Sequence, residues 1–460
     1  MSNEPKRWRN RCPGDLSIEL LEVEATPVEP AIEAACRAAR AWARLPSAER
    51  IGSLQKAKEA LSLAREELSR AIALETGKPI TEARGEMGAV LAKFDFTIED
   101  AQRYLTSVEV TNGPHPAWVK QGARGPAAVI APFNFPLHLG NGALLAHLAA
   151  GNPVIFKPSP LAAVVAGKYA AIMEQCFPPG VFNLVQGWGS EAQALCLDAR
   201  VRAVCFTGSV AVGRTLAKAL AEDYSKELAL ELGGRNAAIV CEDADLDLAA
   251  KAVAEGMSLT CGQRCNATSR ILVDIRVETE FASRLADALA RFVPGFPMDD
   301  ATSLGPLISA AAIQRYETLL AEHADWLVAG QVVPEAGGRR GYYVLPAVRR
   351  GAARAECESF VPIADFDTFG DFDTAVEKNN ASPFGLTASV FTRTERTFWR
   401  LADELCAGNV YANLATTFSP STLPFGGWGL SGNGRSGGRG FIRFCTAEQA
   451  IQLGKDTFLH

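Results

Sequence analysis

Apolar residues recur at three- and four-residue spacing across residues 31–75, in AIEAACRAARAWARL and then AERIGSLQKAKEALSLAREELSRAIAL, with charges on the opposite side. That period lays one apolar stripe along a helix. Leu45-Pro46-Ser47 interrupts it with the chemistry of a turn followed by an N-cap, so a break between helices is expected there. A further helix is predicted from about Ile80 to Leu105, after Gly77-Lys78-Pro79. From Ala127 the texture changes. Short apolar runs at 127–131, 153–156, 181–186, 202–206 and 237–240 alternate with amphipathic stretches such as Leu161–Cys176 and Val210–Glu222. Buried strands alternating with helices predict a parallel α/β sheet.

A second series follows: helix Leu246–Leu259, strand 270–274, helices Glu278–Phe292 and Ser309–Glu322, then strand 361–366. It continues with helix Phe372–Lys378, strand 387–391, helix Glu395–Leu405 and strand 409–413. The expected fold class is therefore α/β, with two doubly wound domains and a cleft between them. Segment 108–126, carrying Pro114, Pro116 and Val108-Glu109-Val110, fits neither series and reads as an excursion that leaves and rejoins the first domain. No hairpin is apparent before residue 31.

Composition narrows the classes. The 460 residues are 48% hydrophobic and 21% charged, which excludes a disordered chain and allows a large core. No apolar run approaches a membrane span. A net charge of −6 argues against nucleic acid as the main partner. The eleven cysteines form no zinc-like cluster, so no metal is expected, and reduced thiols in a cytoplasmic enzyme are the simplest reading.

Two positions then focus the chemistry: Glu231 in LALELGG and Cys265 in CGQRCNA. A cysteine is the better nucleophile near neutral pH, and a carboxylate beside it can activate a water. Either residue alone has a plainer reading, as a buried small side chain or an ion-pair partner. Their placement raises them: Glu231 ends a predicted strand and Cys265 ends the first helix of the next domain, so both face the interdomain boundary. Cys261, four residues earlier, reads as packing. The turn Phe206–Gly213, with Gly208, Ser209 and Gly213, joins a strand to a helix whose N-terminus can hold pyrophosphate. Gly208 to Thr215 also spells a near P-loop, but arginine replaces its lysine. Asn134, in PFNFP, can donate to a developing oxyanion or simply serve a turn. Lys157 and Ser159, in FKPS, stand at the end of the next strand, where open α/β sheets place ligands.

Together these motifs resemble the aldehyde dehydrogenase superfamily. The resemblance spans about residues 31–450 and rests, in order, on ETGKP (75–79), PFNFP (132–136), FKPS (156–159), FTGSVAVG (206–213), ELGG (231–234), GQRC (262–265), ESFVP (358–362) and PFGG (424–427). Glu231 and Cys265 are also 34 residues apart, as in that family. Within it, PFNFPLHLGNGALLAHLAAGNPVIFKPS, PPGVFNLVQG and PFGGWGLSGNGR are similar to the N-succinylglutamate-5-semialdehyde type.

The resemblance implies oxidation of an aldehyde to an acid through a cysteine thiohemiacetal and thioester. Cys265 would be the nucleophile, Glu231 the base for water and Asn134 the oxyanion donor. Lys157, Ser159, Gly208, Ser209, Gly213, Glu358 and Phe360 would hold NAD. A small anionic semialdehyde is the expected substrate, with Arg264 and Arg435 as candidate anion contacts, and a homodimer or homotetramer is the expected assembly. A cofactor-binding domain (1–107 and 127–232), a catalytic domain (233–440) and a bridging element (108–126 and 441–460) would follow. Two departures bear on function. The ribose-binding glutamate common after lysine-proline-serine is Pro160, which leaves NADP open beside NAD, and the glycine usual in ESFVP is Val361.

Overall fold

The computed structural model describes residues 6–110, 115–322, 325–351, 357–435 and 437–454. Pro114 of the expected excursion and residues 455–460 of the expected bridging element lie outside the described residues. The helical N-terminal region divides into Val28–Arg44, Ser47–Leu63, Arg65–Thr76 and Ile80–Tyr104. The expected break falls at Pro46, and a second occurs at Ala64. Pro46 cannot donate a backbone hydrogen bond, so it ends one helix and precedes the next without cost.

The first sheet has five parallel strands in the order Phe182–Leu184, Val154–Lys157, Ala127–Ile130, Ala203–Thr207 and Glu227–Glu231. The chain steps outward on one side of Ala127–Ile130 and then returns to its other side. That reversal opens a crevice at the carboxyl ends of the central strands. Helices cover both faces of the sheet. One face packs Phe156 and Tyr169 with Trp42 and Phe94; the other packs Ile130, Ile155 and Val204 with Ile32 and Leu216. Double coverage explains why these strands read as unbroken apolar runs.

A second sheet contains seven strands: Trp326–Val328, Ala347–Arg350, Ile363–Phe369, Thr268–Asp274, Asn236–Val240, Thr387–Phe391 and Asn409–Ala412. All neighbours are parallel except the edge strand Trp326–Val328. The strand expected at 361–366 begins instead at Ile363, because Pro362 has no N–H for the ladder and Phe360 is left-handed at φ 53°. A third, antiparallel sheet pairs Thr446–Gln452 with Ala117–Ala123, which also pairs Val108–Glu109.

One expectation is corrected outright. Arg7–Cys12 and Asp15–Glu24 form an antiparallel hairpin before residue 31. Its strands are charged because their exposed face is an ion-pair ladder, with Arg7 to Glu24 at 3.0 Å, Arg9 to Glu22 at 3.2 Å and Arg11 to Glu19 at 2.7 Å. Only Trp8 and Cys12 of the first strand are buried. Trp8 Nε1 and Asn10 Nδ2 both donate to the Pro160 carbonyl, at 3.0 and 2.8 Å, so the hairpin braces the loop beyond Lys157. Among the described residues no helix is long and apolar enough to cross a membrane, and no cluster has metal-binding composition.

Candidate active site

Two cavities of about 450 Å³ each meet at a shared wall made by Cys265, Glu231, Thr207 and Leu139. The first is the crevice at the strand ends. Lys157, Ser159, Gly208, Ser209, Glu358 and Phe360 line it, as does Asn134. Gly208 must lack a side chain, since a Cβ would sit 2.5 Å from the Phe206 ring. Ser209 then caps helix Val210–Leu220, its Oγ accepting the Val212 N–H at 3.4 Å. The helix begins at once, leaving no room for a wrapped P-loop. Gly213 is not on the cavity wall; it is buried against Leu232, where a Cβ would meet Cδ2 at 2.6 Å. Its place is helix-to-sheet packing behind the crevice.

Glu358 comes from a loop that carries the chain into the second sheet. The Gly234 N–H donates to its Oε1 at 3.1 Å, and burial pushes its carboxyl up to about 7. Phe360 stands edge-on to Phe133 at 6.0 Å. Thr207, Trp188 and Arg315 complete the crevice wall, and of these only Thr207, in FTGSVAVG, had a motif to announce it.

Glu231 closes the strand Glu227–Glu231, and a loop from the C-terminal part of the chain clamps it there. Its backbone bridges Gly432, while the Leu232 N–H donates to the Ser431 carbonyl at 3.0 Å and the Leu230 N–H to Asn433 Oδ1 at 2.8 Å. The side chain is buried, and neither carboxylate oxygen has a well-formed hydrogen bond among the described residues. Burial pushes this carboxyl up to about 8. The adjacent Cys265 thiol moderates the rise, Glu358 adds to it, and Lys93 and Arg435 oppose it. A carboxylate so raised is a competent proton acceptor near neutral pH, as an ordinary glutamate is not.

Cys265 does not end a helix, as its spacing had implied. The helix stops at Ser258, a short tight turn covers Leu259–Gly262, and Thr260 and Cys261 adopt left-handed backbone. The cause is distant in sequence. Glu82 accepts the Thr260 N–H at 3.0 Å and its hydroxyl at 2.8 Å, drawing the backbone out of helical register. Gly262, at φ +68°, passes so close to Val361-Pro362 that a Cβ would lie 2.6 Å from their backbone. Cys261 is therefore not one helical turn before Cys265; it is buried with Leu304, Leu307 and Tyr316. Asn236 fixes the nucleophile loop by donating to the carbonyls of Cys265 and Ala267 at 2.8 and 2.9 Å. The Cys265 side chain is partly exposed, and burial raises its thiol well above the ordinary value, with Glu231 and Glu358 adding to the rise. Asn134 is buried beside it, donating from Nδ2 to the Gln263 carbonyl at 2.8 Å. Its second amide hydrogen remains for a ligand.

The second cavity presents one face of helix Ile80–Tyr104, with Glu82, Glu86, Ala89 and Lys93 at helical spacing, against Phe135 and Phe418. Arg264 lies on this wall but is already engaged, pairing with Glu82 at 2.7 Å and resting over Phe135 at 4.8 Å. Arg435 lines neither cavity; it donates to the Gly408 carbonyl at 2.9 Å. The sequence reading missed Lys93, although a lysine in phase with Glu82 and Glu86 beside an apolar stripe was a signal of it.

The sequence matches the Aldehyde dehydrogenase family over residues 3–451. The chain belongs to the aldehyde dehydrogenase family. It is 34% identical over 445 residues to a betaine aldehyde dehydrogenase of Cereibacter sphaeroides, covering 94% of this chain and 90% of that one. It is also 34% identical to an N-succinylglutamate 5-semialdehyde dehydrogenase of Enterobacter sp., covering 90% and 85%. Among solved structures, a 1-pyrroline-5-carboxylate dehydrogenase from Thermus with bound NAD superposes at a TM-score of 0.91, with 28% identity and coverage of 97% and 90%. The α/β fold and an NAD-dependent aldehyde dehydrogenase activity are thereby established. The crevice fits NAD on its own geometry. Gly208 leaves the helix start bare, Lys157 and Glu358 present polar groups on the crevice wall, and a Cβ at Gly233 would lie 2.5 Å from the Glu358 carboxylate.

Proposed function

We propose that this aldehyde dehydrogenase is hydrolytic and acts on a small semialdehyde carrying a carboxylate, of which N-succinylglutamate 5-semialdehyde is one candidate. The observation that carries the reading is the shared wall: a thiol and a buried, unengaged carboxylate stand where the NAD crevice meets a second cavity. In this reading the Cys265 proton passes to Glu231 and the sulfur attacks the aldehyde carbon. The carbonyl oxygen becomes an oxyanion, held by Asn134 Nδ2–H and the Cys265 N–H. Such donors are worth about 3–4 kcal/mol in the transition state. NAD, which Lys157, Ser159, Glu358 and Phe360 would hold in the crevice, would supply the two-electron oxidation between thiohemiacetal and thioester. Glu231, once that proton has passed to solvent, deprotonates a water, the water oxygen attacks the thioester carbon, and Cys265 departs as thiolate with release of the acid.

Lys157, Ser159, Glu358 and Phe360 hold the cofactor, with Gly208 and Ser209 at its pyrophosphate. The domain division is read as 1–107 with 127–232 for the cofactor, 233–440 for the nucleophile, and 108–126 with 441–460 as the bridge. The open edge of Thr446–Gln452, largely exposed with Ile451 on it, supports a homodimer or homotetramer. Eleven free cysteines support a reducing, cytoplasmic setting. The test is steady turnover without coenzyme A on a panel of aldehydes, together with mass spectrometry of the enzyme caught during turnover. An acyl adduct on the Cys265 peptide and a kcat/KM at least 10-fold higher for carboxylate-bearing than for neutral semialdehydes are expected. A requirement for coenzyme A would reject hydrolysis, and equal rates on charged and neutral aldehydes would reject the substrate class.

A further inference from the structure

The charges around the second cavity do not cancel. Glu82 is answered by Arg264 and by the Thr260 N–H and hydroxyl. Glu86 is answered by Lys78, and its Oε1 also accepts the N–H groups of Leu137 and His138 at 3.1 Å. His138 is pushed well below its ordinary value by burial, with Lys93, Lys78 and Arg264 adding to the fall, so its ring is neutral. Asp100, beyond Lys93 on the same helix, accepts the Gly440 N–H at 2.7 Å and pairs with Arg439 at 3.5 Å. Glu231, the third carboxyl on this wall, is pushed up to about 8 by burial and is largely protonated at neutral pH, so three cations, Lys78, Arg264 and Lys93, stand against two anions, Glu82 and Glu86.

The surplus charge is Lys93. Its side chain is buried, with 6% of the residue exposed, and among the described residues it has neither a hydrogen bond nor an ion pair. Burying an ammonium without a hydrogen-bond partner is costly, and a missing side chain makes room for this one. Gly142, on helix His138–Ala150, has no Cβ; one placed there would lie 2.8 Å from Lys93 Nζ. Lys93 lines the cavity that also holds Cys265, and its Nζ lies against Gly142 at a small adjoining pocket that Asp100 also lines. A carboxylate entering that cavity would meet an ammonium with three donors, none of them committed to a hydrogen bond among the described residues.

We propose that Lys93 is the specificity-determining residue for the substrate: its ammonium receives the carboxylate of a semialdehyde whose carbonyl carbon lies at Cys265. This rests on the carboxylate-bearing substrate class proposed above, and it displaces Arg264 and Arg435 as the anion contact. It also disfavours a cationic aldehyde such as betaine aldehyde, which would bring like charge to Lys93.

The test compares wild type with Lys93→Met and Lys93→Arg on a semialdehyde and on its uncharged amide of equal length, and adds inhibition by glutarate. In Lys93→Met the ratio of kcat/KM for carboxylate over amide is expected to fall 10- to 100-fold, mostly through KM. The glutarate inhibition constant is expected to weaken about 10-fold, and Lys93→Arg to recover part of both. A wild-type ratio near one sinks the substrate class, whereas glutarate inhibition unchanged in Lys93→Met sinks the role of Lys93. Equal losses on both aldehydes would also overturn the proposal, because they would place Lys93 in the support of Glu231 instead.

Discussion

The two cavities that meet at Cys265 are built by opposite means. The NAD crevice is made of local pieces: a bare glycine before a helix, a lysine at a strand end, an asparagine after another strand. The second cavity is made of side chains brought from far apart, with Glu82 reaching Thr260 and Arg264 across about 180 residues and Lys93 settling opposite Gly142. On the function proposed above, a cofactor common to many reactions would be met largely by backbone and by absent side chains, and one particular aldehyde by charges placed one at a time. The lesson is that short motifs report the chemistry and remain nearly silent on the substrate.

The sharpest way to break this division is at the shared wall. Cys265→Ala is expected to lower turnover by at least about 10⁴-fold, while NAD titrated against the variant still binds with wild-type affinity. Loss of NAD binding would show the two cavities to be one unit. Glu231→Gln is expected to lower kcat by about 10²–10⁴-fold and, since the same carboxylate takes the thiol proton, to slow formation of NADH in the first turnover too. In wild type the base must shed its proton, and its carboxyl sits up at about 8, so kcat rises with pH through that value and levels above it. The glutamine variant should lose that rise; a rise that persists would assign it to another group.

A subtler probe tests the crevice alone. In Gly233→Ala the added Cβ meets the Glu358 carboxylate at 2.5 Å, so the KM for NAD should rise about 10-fold with little change in the KM for aldehyde. Parallel changes in both constants would blur the distinction between the cavities. The smallest effect is on stability. Burial lowers Lys93 from 10.5 to about 8 in the folded chain, so the unfolded chain binds more protons between those values, and the wild type gains stability from this group as pH rises. Lys93→Met should therefore melt a few degrees higher than wild type at pH 7, with the gap closing toward pH 10.5. A variant that melts lower at pH 7 would show that the lysine has a partner after all.

Much of the architecture was legible because parallel strands covered on both faces can only be apolar runs, as at Ala127–Ile130 and Asn236–Val240. The N-terminal hairpin escaped for the converse reason. Its Arg and Glu residues satisfy one another across strands, leaving Trp8 and Cys12 as the sole apolar trace on the first strand. Strands Trp326–Val328 and Ala347–Arg350, at one end of the second sheet, were also unread, the latter being half arginine. In the site, Cys265, Glu231, Asn134, Lys157, Ser159, Gly208, Ser209, Glu358 and Phe360 all reach the NAD crevice, but Gly213 and Arg435 stand behind it. The end of the helix before Cys265 was misplaced because its terminator is Glu82, a carboxylate that no local pattern around Thr260 could disclose.

The bridge between Glu231 and Gly432 carries a mechanical consequence. The outermost strand of one sheet is finished by a loop that belongs, through its neighbours, to the other half of the protein. Were the two halves to rock apart, this stitch would pull the carboxylate along with the departing loop, so the gap through which a product leaves and the reach of the base toward sulfur cannot be adjusted separately.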